Sequence, residues 1–376
     1  MYEQLIPEDF LFYMLYGGVA AMALAASVYL LFRQGNAFAP DVTPPLRLRY
    51  WTAALFIFIA LSHMWYLPVA FFTSSKDIER MYLVGELLDC MTIVPLTVVV
   101  QFAMLQDRRR PLWPIGVAMM PLVTGLVLCL FGHGRTLIPA LYAYAVLMGI
   151  ILVVYMVGAV RQYGQWLRDN YADLEHKEVG QSLVVLAVIL LVLGVYVFGY
   201  ELPGYEYVIN LNSIVLIGYL LWRVETLSDL SAHTAQDLAA DEAAPGGAED
   251  ALSAKALSST PAAERIGPLL QAHCIDERLY LQYDLTLLQL AKVIGVNRFY
   301  LSQYFSGQGV TYNAYINDLR IRHFVSLYRE VVAAQRPFTV QQLARESGYR
   351  SYSTFSLAFK QRMGQTVTAW MREATP

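Results

Sequence analysis

Three ionisable side chains, His63, Glu86 and Asp89, lie within stretches of sequence that are otherwise apolar. An ionisable group inside a bilayer is costly unless it is paired or hydrated, so it marks a candidate functional site. Helical rise places all three at similar depth, and a short loop joins the second and third spans, so the geometry allows His63 to contact Asp89 or Glu86. Three tyrosines near the same end of the apolar stretches extend this candidate polar pocket: Tyr66, Tyr196 and Tyr200. The pattern is typical either of a pocket for a small-molecule or membrane-dissolved ligand, or of a polar cluster that only holds helices together.

Other reactive constellations are missing from the sequence. No nucleophile and base are placed as hydrolysis would require, so we expect no enzyme. The three cysteines, Cys90, Cys129 and Cys274, form neither a disulfide framework nor a zinc-ligand spacing. Cys90 and Cys129 fall inside apolar stretches, and we interpret these two as buried thiols. No haem, metal or flavin constellation stands out, so we predict no cofactor.

Long apolar stretches position the candidate pocket. The hydrophobic fraction is 57%, well above that of soluble domains. A helix needs about 20 mostly apolar residues to cross a bilayer. Seven stretches meet this length, and the sequence therefore predicts a seven-helix transmembrane bundle with spans at 10–32, 50–72, 81–105, 112–131, 136–159, 181–201 and 205–223.

Basic residues in the loops predict the orientation of the spans. One set of alternate loops carries ten lysines and arginines, among them Arg108, Arg109 and Arg110, whereas the other set carries three. Because cytoplasmic loops are enriched in basic residues, the N-terminus is expected outside and the C-terminus in the cytoplasm. The chain begins with acidic rather than basic residues, so we predict no cleavable signal peptide.

Composition divides the chain into three parts. Residues 1–225 form the predicted transmembrane, candidate sensor domain. Residues 226–262 are acidic and Ala-rich, with six acidic side chains and one lysine, and predict a flexible linker. Residues 263–376 carry thirteen basic and eight acidic side chains, which suits a soluble module that binds a polyanion.

The C-terminal module contains two similar helix pairs. Thr286 is a candidate N-cap for a helix over 287–294, Gly295 marks a turn, and Asn297 can cap a second helix. Thr339, Gly348 and a helix from Ser351 to Lys360 repeat this order about 53 residues later. A helix, a short glycine-containing turn and a second helix form the helix-turn-helix arrangement, in which the second helix enters the major groove of DNA.

One long helix over 315–332 is predicted to connect the two units. Four phenylalanines recur on the inward faces of the module's helices and are predicted to be core: Phe305, Phe324, Phe355 and Phe359.

Two such units joined by a helix resemble the DNA-binding domain of AraC/XylS-type transcriptional regulators. The resemblance covers roughly 280–372, and several membrane spans before such a domain resemble membrane-embedded members seen in bacteria. The residues that carry it are Leu285-Thr286, Leu290-Ala291, Gly295-Val296, Asn297-Arg298, Tyr300-Leu301-Ser302, Phe305, Tyr315-Ile316, Leu319-Arg320-Ile321, Gln342-Leu343-Ala344, Ser347-Gly348-Tyr349, Phe355, Phe359-Lys360 and Met363-Gly364.

The resemblance implies roles for residues of both second helices, which in the family occupy successive major grooves. The side chains that it assigns to base edges are Phe299, Ser302, Gln303, Tyr352, Ser353, Ser356 and Leu357. Those that it assigns to phosphates are Arg298, Arg320, Arg350, Lys360 and Arg362. The family commonly has arginine where this chain has Gln303 and Leu357, so we expect weak binding until two domains act together.

Together these patterns predict an all-α chain in which a seven-helix transmembrane bundle precedes a soluble double helix-turn-helix domain. We interpret it as a membrane-bound, one-component transcription regulator of the bacterial cytoplasmic membrane, with DNA, lipid, a sensed ligand and a second copy in a homodimer as partners. The alternative is a seven-helix receptor that signals through a protein partner, with a degenerate DNA-binding domain.

Overall fold

The computed structural model describes residues 7–33, 36–40, 42–131, 135–180, 184–185, 188, 205–230 and 261–374. Within these ranges the chain is helical and forms no strand, apart from one isolated bridge between Tyr171 and Thr286. The helices of the apolar part are α1 Pro7–Phe32, α2 Leu46–Trp65, α3 Ser75–Met91, α4 Ile93–Met104, α5 Trp113–Leu130, α6 Ile138–Asn170 and α7 Tyr205–Thr226. Those of the C-terminal part are α8 Pro261–Leu269, α9 Leu287–Ile294, α10 Arg298–Gly307, α11 Tyr312–Ala333, α12 Val340–Glu346, α13 Tyr352–Met363 and α14 Val367–Ala374.

Six stretches of the described chain are long and apolar enough to cross a membrane. They correspond to six of the seven predicted spans and are Phe10–Phe32, Leu46–Val69, Ser75–Met104, Trp113–Leu130, Ile138–Asn170 and Tyr207–Thr226. The remaining predicted span, 181–201, lies outside the described residues apart from the valines at 184, 185 and 188, which are helical. Most of the predicted linker, 231–260, also lies outside them.

The third span is interrupted at Thr92, where φ is −121° and ψ is −69°. Pro95 follows three residues later; it has no amide hydrogen, and its ring collides with the carbonyl four residues earlier. The helix therefore ends at Met91 as α3 and restarts at Ile93 as α4. Thr92 donates its hydroxyl hydrogen to the Leu88 carbonyl at 2.6 Å, which satisfies part of the freed backbone.

The chain divides into two compact units. The first comprises residues 1–163 and 179–232, and the second comprises residues 164–178 together with 233–376. The short segment Gly164–Glu178, which includes the last residues of α6 and the loop after it, thus belongs with the C-terminal helices. We call it the docked segment.

The second unit has two hydrophobic clusters, one for each helix pair, and α11 contributes to both. Tyr312 and Ile316 belong to the first cluster, whereas Phe324 and Tyr328, further along the same helix, belong to the second. The predicted core phenylalanines are confirmed: Phe305, Phe324, Phe355 and Phe359 are all buried. Helix α11 therefore acts as a rigid spacer between the helix pairs, as the predicted connecting helix required.

Candidate nucleic-acid interface

The first helix pair is α9 and α10, with ends held by side-chain caps. Thr286 and Gln289 form a reciprocal capping box: the Thr286 hydroxyl accepts from the Gln289 amide at 3.2 Å, and the Gln289 side chain accepts from the Thr286 amide at 2.9 Å. Gly295 ends α9 at φ 69°, a left-handed conformation that favours glycine. Asn297 caps α10 by accepting from the Phe299 amide at 2.7 Å. These contacts confirm the caps and the turn predicted from sequence.

The second pair, α12 and α13, repeats the arrangement. Thr339 caps α12 through the Gln342 amide at 3.1 Å, and Ser351 caps α13 through the Thr354 amide at 3.3 Å. Gly348 occupies the turn at φ 89°. A side chain there would also collide with the backbone of Leu281, because an added Cβ would lie 2.9 Å from its Cα.

The side chains predicted to read bases lie away from the core. Phe299 and Leu357 are each 59% exposed. Gln303, Tyr352 and Ser353 are exposed as well, while Ser302 and Ser356 are half-buried. On the opposite faces of the same helices, Phe305 and Phe355 are buried. Each second helix therefore presents a solvent-facing surface of polar and apolar side chains, as a groove-reading helix must.

The predicted phosphate contacts fall into different environments. Lys360 and Arg362 are exposed, and the Arg362 Nε donates to Asp318. Arg350 is half-exposed, with its Nη1 3.4 Å from the Asp284 carboxylate. Arg298 donates through Nη2 to Asn170 Oδ1 at 2.7 Å. Lys360, Arg362 and Arg350 thus lie at the surface, while Arg298 is held by the docked segment.

Arg320 corrects the sequence prediction, because its side chain is 0% exposed. Its guanidinium donates to Asp173 Oδ1 at 3.0 Å, to the Tyr280 carbonyl at 2.7 Å and to the Gln282 carbonyl at 2.8 Å. A guanidinium with three internal acceptors and no exposed surface cannot contact a phosphate. The prediction was wrong because Arg320 lies between Ile316 and Phe324 on the inward face of α11, a position that required an internal partner.

That partner belongs to the docked segment, which sequence reasoning missed. The Ala172 amide donates to the Leu285 carbonyl at 3.1 Å, and Ala172 is 1% exposed within the first hydrophobic cluster. The Asn313 side-chain amide donates to the Tyr171 carbonyl at 3.3 Å. Lys177 forms an ion pair with Asp284 at 3.0 Å. The only signal in the sequence was indirect, since a buried arginine needs a carboxylate but does not indicate which one.

In the apolar unit, the polar side chains of the candidate pocket form two hydrogen-bonded pairs. Asp89 accepts a hydrogen bond from the Tyr66 hydroxyl at 2.9 Å, and the His63 Nε2 lies 3.3 Å from Asn210 Oδ1. Of the contacts that the sequence allowed, the structure thus pairs Asp89 with Tyr66 instead of His63. Tyr66 also packs over Gly85, where a Cβ would come within 2.1 Å of its ring. Tyr196 and Tyr200 lie outside the described residues.

Glu86 lines a cleft of about 430 Å³. The cleft is lined by side chains of α3, α5 and α6: Ser75, Ile78, Glu79, Tyr82, Leu83, Glu86, Leu126, Ile138, Leu141 and Tyr142. The His63–Asn210 and Tyr66–Asp89 pairs are not among its lining residues. Of the predicted pocket residues, Glu86 thus lines the cleft, while His63, Tyr66 and Asp89 take part in the two side-chain pairs.

Comparison with known proteins agrees with the geometry of the second unit. A family model described as a helix-turn-helix domain matches residues 290–373, a range that spans α10 to α13 and includes both second helices. No curated protein and no solved structure matches the chain. The C-terminal domain is an AraC-type helix-turn-helix domain, which makes the chain a DNA-binding protein that also carries several helices of membrane-spanning length.

Proposed function

We propose that this chain is a one-component transcription regulator of the bacterial cytoplasmic membrane, in which a signal sensed by the membrane helices controls sequence-specific DNA binding. The observation that carries the proposal is the presence, in one chain, of two capped helix pairs with exposed second helices and of six helices of membrane-spanning length. A reader of DNA needs such exposed helices, and a chain with such spans is held at the membrane.

The proposed orientation follows from loop charge. Ten basic residues against three favour a cytoplasmic C-terminus, where the domain has access to DNA. Base readout would come from Phe299, Gln303 and Leu357, with polar side chains beside them on the same helices. Gln303 can pair bidentately with adenine, and Phe299 can contact a thymine methyl.

Sensing and dimerisation belong to the same proposal. A small-molecule or membrane-dissolved ligand regulates the protein only if it binds one packing arrangement of the membrane helices better than another. Among the described residues of the apolar unit, the Glu86 cleft and the half-buried Tyr66–Asp89 contact offer polar groups to such a ligand. A homodimer would raise the effective concentration of two DNA-binding domains for paired half-sites.

The test is DNA binding by the full chain in lipid nanodiscs, with operator fragments selected from genomic DNA. Lys360→Glu should lower affinity for all fragments and reduce the slope of log affinity against log salt, because a phosphate contact is replaced by a repulsive charge. The matched control is Arg372→Glu, which makes the same charge change at an exposed position of α14, outside both helix pairs. Equal binding by the wild type and Lys360→Glu, or selection of no fragment, would contradict the proposal and favour a protein-docking domain.

A further inference from the structure

A carboxylate of the docked segment lies at the N-terminal end of the second reading helix. Glu175 Oε2 accepts hydrogen bonds from the Ser351 hydroxyl at 2.6 Å and from the Thr354 hydroxyl at 2.8 Å. Ser351 is the N-cap of α13, and Thr354 lies in its first turn. The carboxylate therefore occupies the end of the helix at which the backbone dipole and the orphan amides attract negative charge.

The same end of α13 is where a helix-turn-helix domain meets the DNA backbone. Phosphates are commonly bound by hydroxyl side chains and helix N-termini, which fix the register of the domain on the duplex. Ser351 and Thr354 offer such hydroxyls, and Arg350 adds a positive charge beside them. Glu175 thus presents to these groups the chemistry that a phosphate oxygen would present.

Two further contacts involve residues that were predicted to bind DNA phosphates. Asn170, at the end of α6, accepts from Arg298, the residue that opens the first reading helix α10. Asp284 lies between Lys177 of the docked segment, at 3.0 Å, and Arg350, at 3.4 Å. Two of the arginines predicted to contact phosphate are therefore held by groups that a phosphate would have to displace.

The docked segment is well anchored beside these contacts. Tyr171, Ala172 and Asp173 are all buried in the second unit. Such an anchor holds Glu175 and Asn170 near the reading helices at a high effective concentration, which only a multiply charged ligand could overcome.

We propose that the segment Gly164–Glu178 is an internal competitor of DNA, with Glu175 acting as a phosphate substitute at the N-terminus of α13. Backbone phosphates of the duplex must displace Glu175 from Ser351 and Thr354 before the second reading helix can engage. The inference rests on the proposed function, because it needs the domain to bind DNA. The segment begins within the last turns of α6, so continuous helical backbone joins it to a helix of membrane-spanning length.

The test is binding of a short random-sequence duplex to the full chain in nanodiscs, measured across a salt series. Glu175→Gln keeps an oxygen acceptor for both hydroxyls and removes only the charge, so the fold of the segment should persist. Affinity should rise about two- to fivefold, the effect of one charge at a helix end. The matched control, Glu178→Gln, removes the same charge from an exposed side chain of the segment and should change affinity less.

A second readout is hydrogen–deuterium exchange of residues 174–178, which follow the buried anchor, in the wild-type chain with and without the duplex. Faster exchange on DNA binding supports displacement of Glu175, whereas protection would overturn the inference and make these residues part of the interface. If the wild type binds the duplex and Glu175→Gln binds it equally well or more weakly, the inference is overturned, whereas the proposed function still stands. Failure of every variant, including the wild type, to bind DNA at low salt would overturn both the inference and the proposed function.

Discussion

Asp173 and Arg320 form a buried ion pair in the second unit, with Oδ1 3.0 Å from Nη1 and side chains 6% and 0% exposed. Two backbone carbonyls, of Tyr280 and Gln282, accept hydrogen bonds from the Nε and the Nη2 of Arg320. Such a pair adds little to the free energy of unfolding. Removing one member lowers that free energy strongly, because a buried charge is left without its partner. The loop after the fifth described span is therefore a structural component of the DNA-binding domain.

Asp173→Asn should destabilise the second unit by about 3–5 kcal/mol, because Arg320 stays buried without a countercharge. The control is Asp318→Asn, which makes the same substitution in a surface network with Arg322 and Arg362. This control should cost less than about 1 kcal/mol, since exposed ion pairs contribute little. Hydrogen exchange of the amides in α11 measures the loss of stability in each variant. Equal protection in the two variants would refute the structural role of the pair.

Gly348→Ala should be far more disruptive than Gly295→Ala. Both glycines have positive φ, which costs an alanine about 1–2 kcal/mol. At Gly348 the added Cβ would also lie 3.0 Å from the Leu281 carbonyl oxygen and 3.1 Å from Arg320 Nε, whereas at Gly295 nothing lies within 4 Å. Overpacking typically adds about 1–3 kcal/mol. Urea unfolding followed by hydrogen exchange distinguishes the two variants, and an equal loss of stability would argue against the tight contact.

Asp284 should make the second unit sensitive to acid. Burial alone would raise its pKa, but the positive charges of Lys177, Arg350 and Arg320 lower the pKa below the ordinary value of 3.8. A carboxyl with a depressed folded-state pKa contributes stability that is complete above 3.8 and is lost as pH falls through the folded-state value.

The measurement is the unfolding of wild type and Asp284→Asn as a function of pH. Asparagine tolerates the positive φ of 51° at this position, so the substitution isolates the charge. The wild type should be more stable at neutral pH, and the difference should shrink below pH 3.8. A difference that is independent of pH would show that the carboxylate charge contributes nothing.

Phe299→Ala and Leu357→Ala should weaken specific DNA binding without destabilising the fold. Both side chains are 59% exposed and lie on the second helices of their pairs. Losing an apolar contact to a base should cost about 1–3 kcal/mol, roughly 5- to 150-fold in affinity for the selected operator. Stability should change by less than about 0.5 kcal/mol, as for other surface positions.

The comparison for this prediction is Val293→Ala, an apolar side chain that is 47% exposed but lies on the first helix of its pair. Operator affinity should be nearly unchanged in this variant. Loss of affinity in Val293→Ala as large as in Phe299→Ala would place base readout on a different surface.

Local signals made much of this fold predictable. Thr286, Asn297 and Thr339 act as the caps that their residue types indicated, and Gly295 adopts the left-handed turn. Such features depend on residues within one or two turns of helix, and the sequence contains all of them. The spacing of Phe355 and Phe359 likewise predicted their burial.

Contacts between distant segments were not predictable in the same way. Asp173 and Arg320 are 147 residues apart, and nothing in either neighbourhood indicates the other. His63 contacts Asn210 and not Asp89, which is closer in the sequence. Helix packing, and not separation along the chain, decides which polar groups come into contact within a bundle. The break at Thr92 depended on how the chain accommodates Pro95, which kinks some helices and ends others.

The most direct test of the central claim is genome-wide DNA occupancy of the full-length, membrane-resident chain in its native cell. The double variant Phe299→Ala, Leu357→Ala in the same membrane serves as the matched control. A chain that reads DNA should give discrete peaks containing repeated half-sites, and these peaks should disappear in the control. Occupancy that is indistinguishable between the two chains, or absent from both across varied growth conditions, would contradict a DNA-reading regulator and favour a receptor that signals through a protein partner.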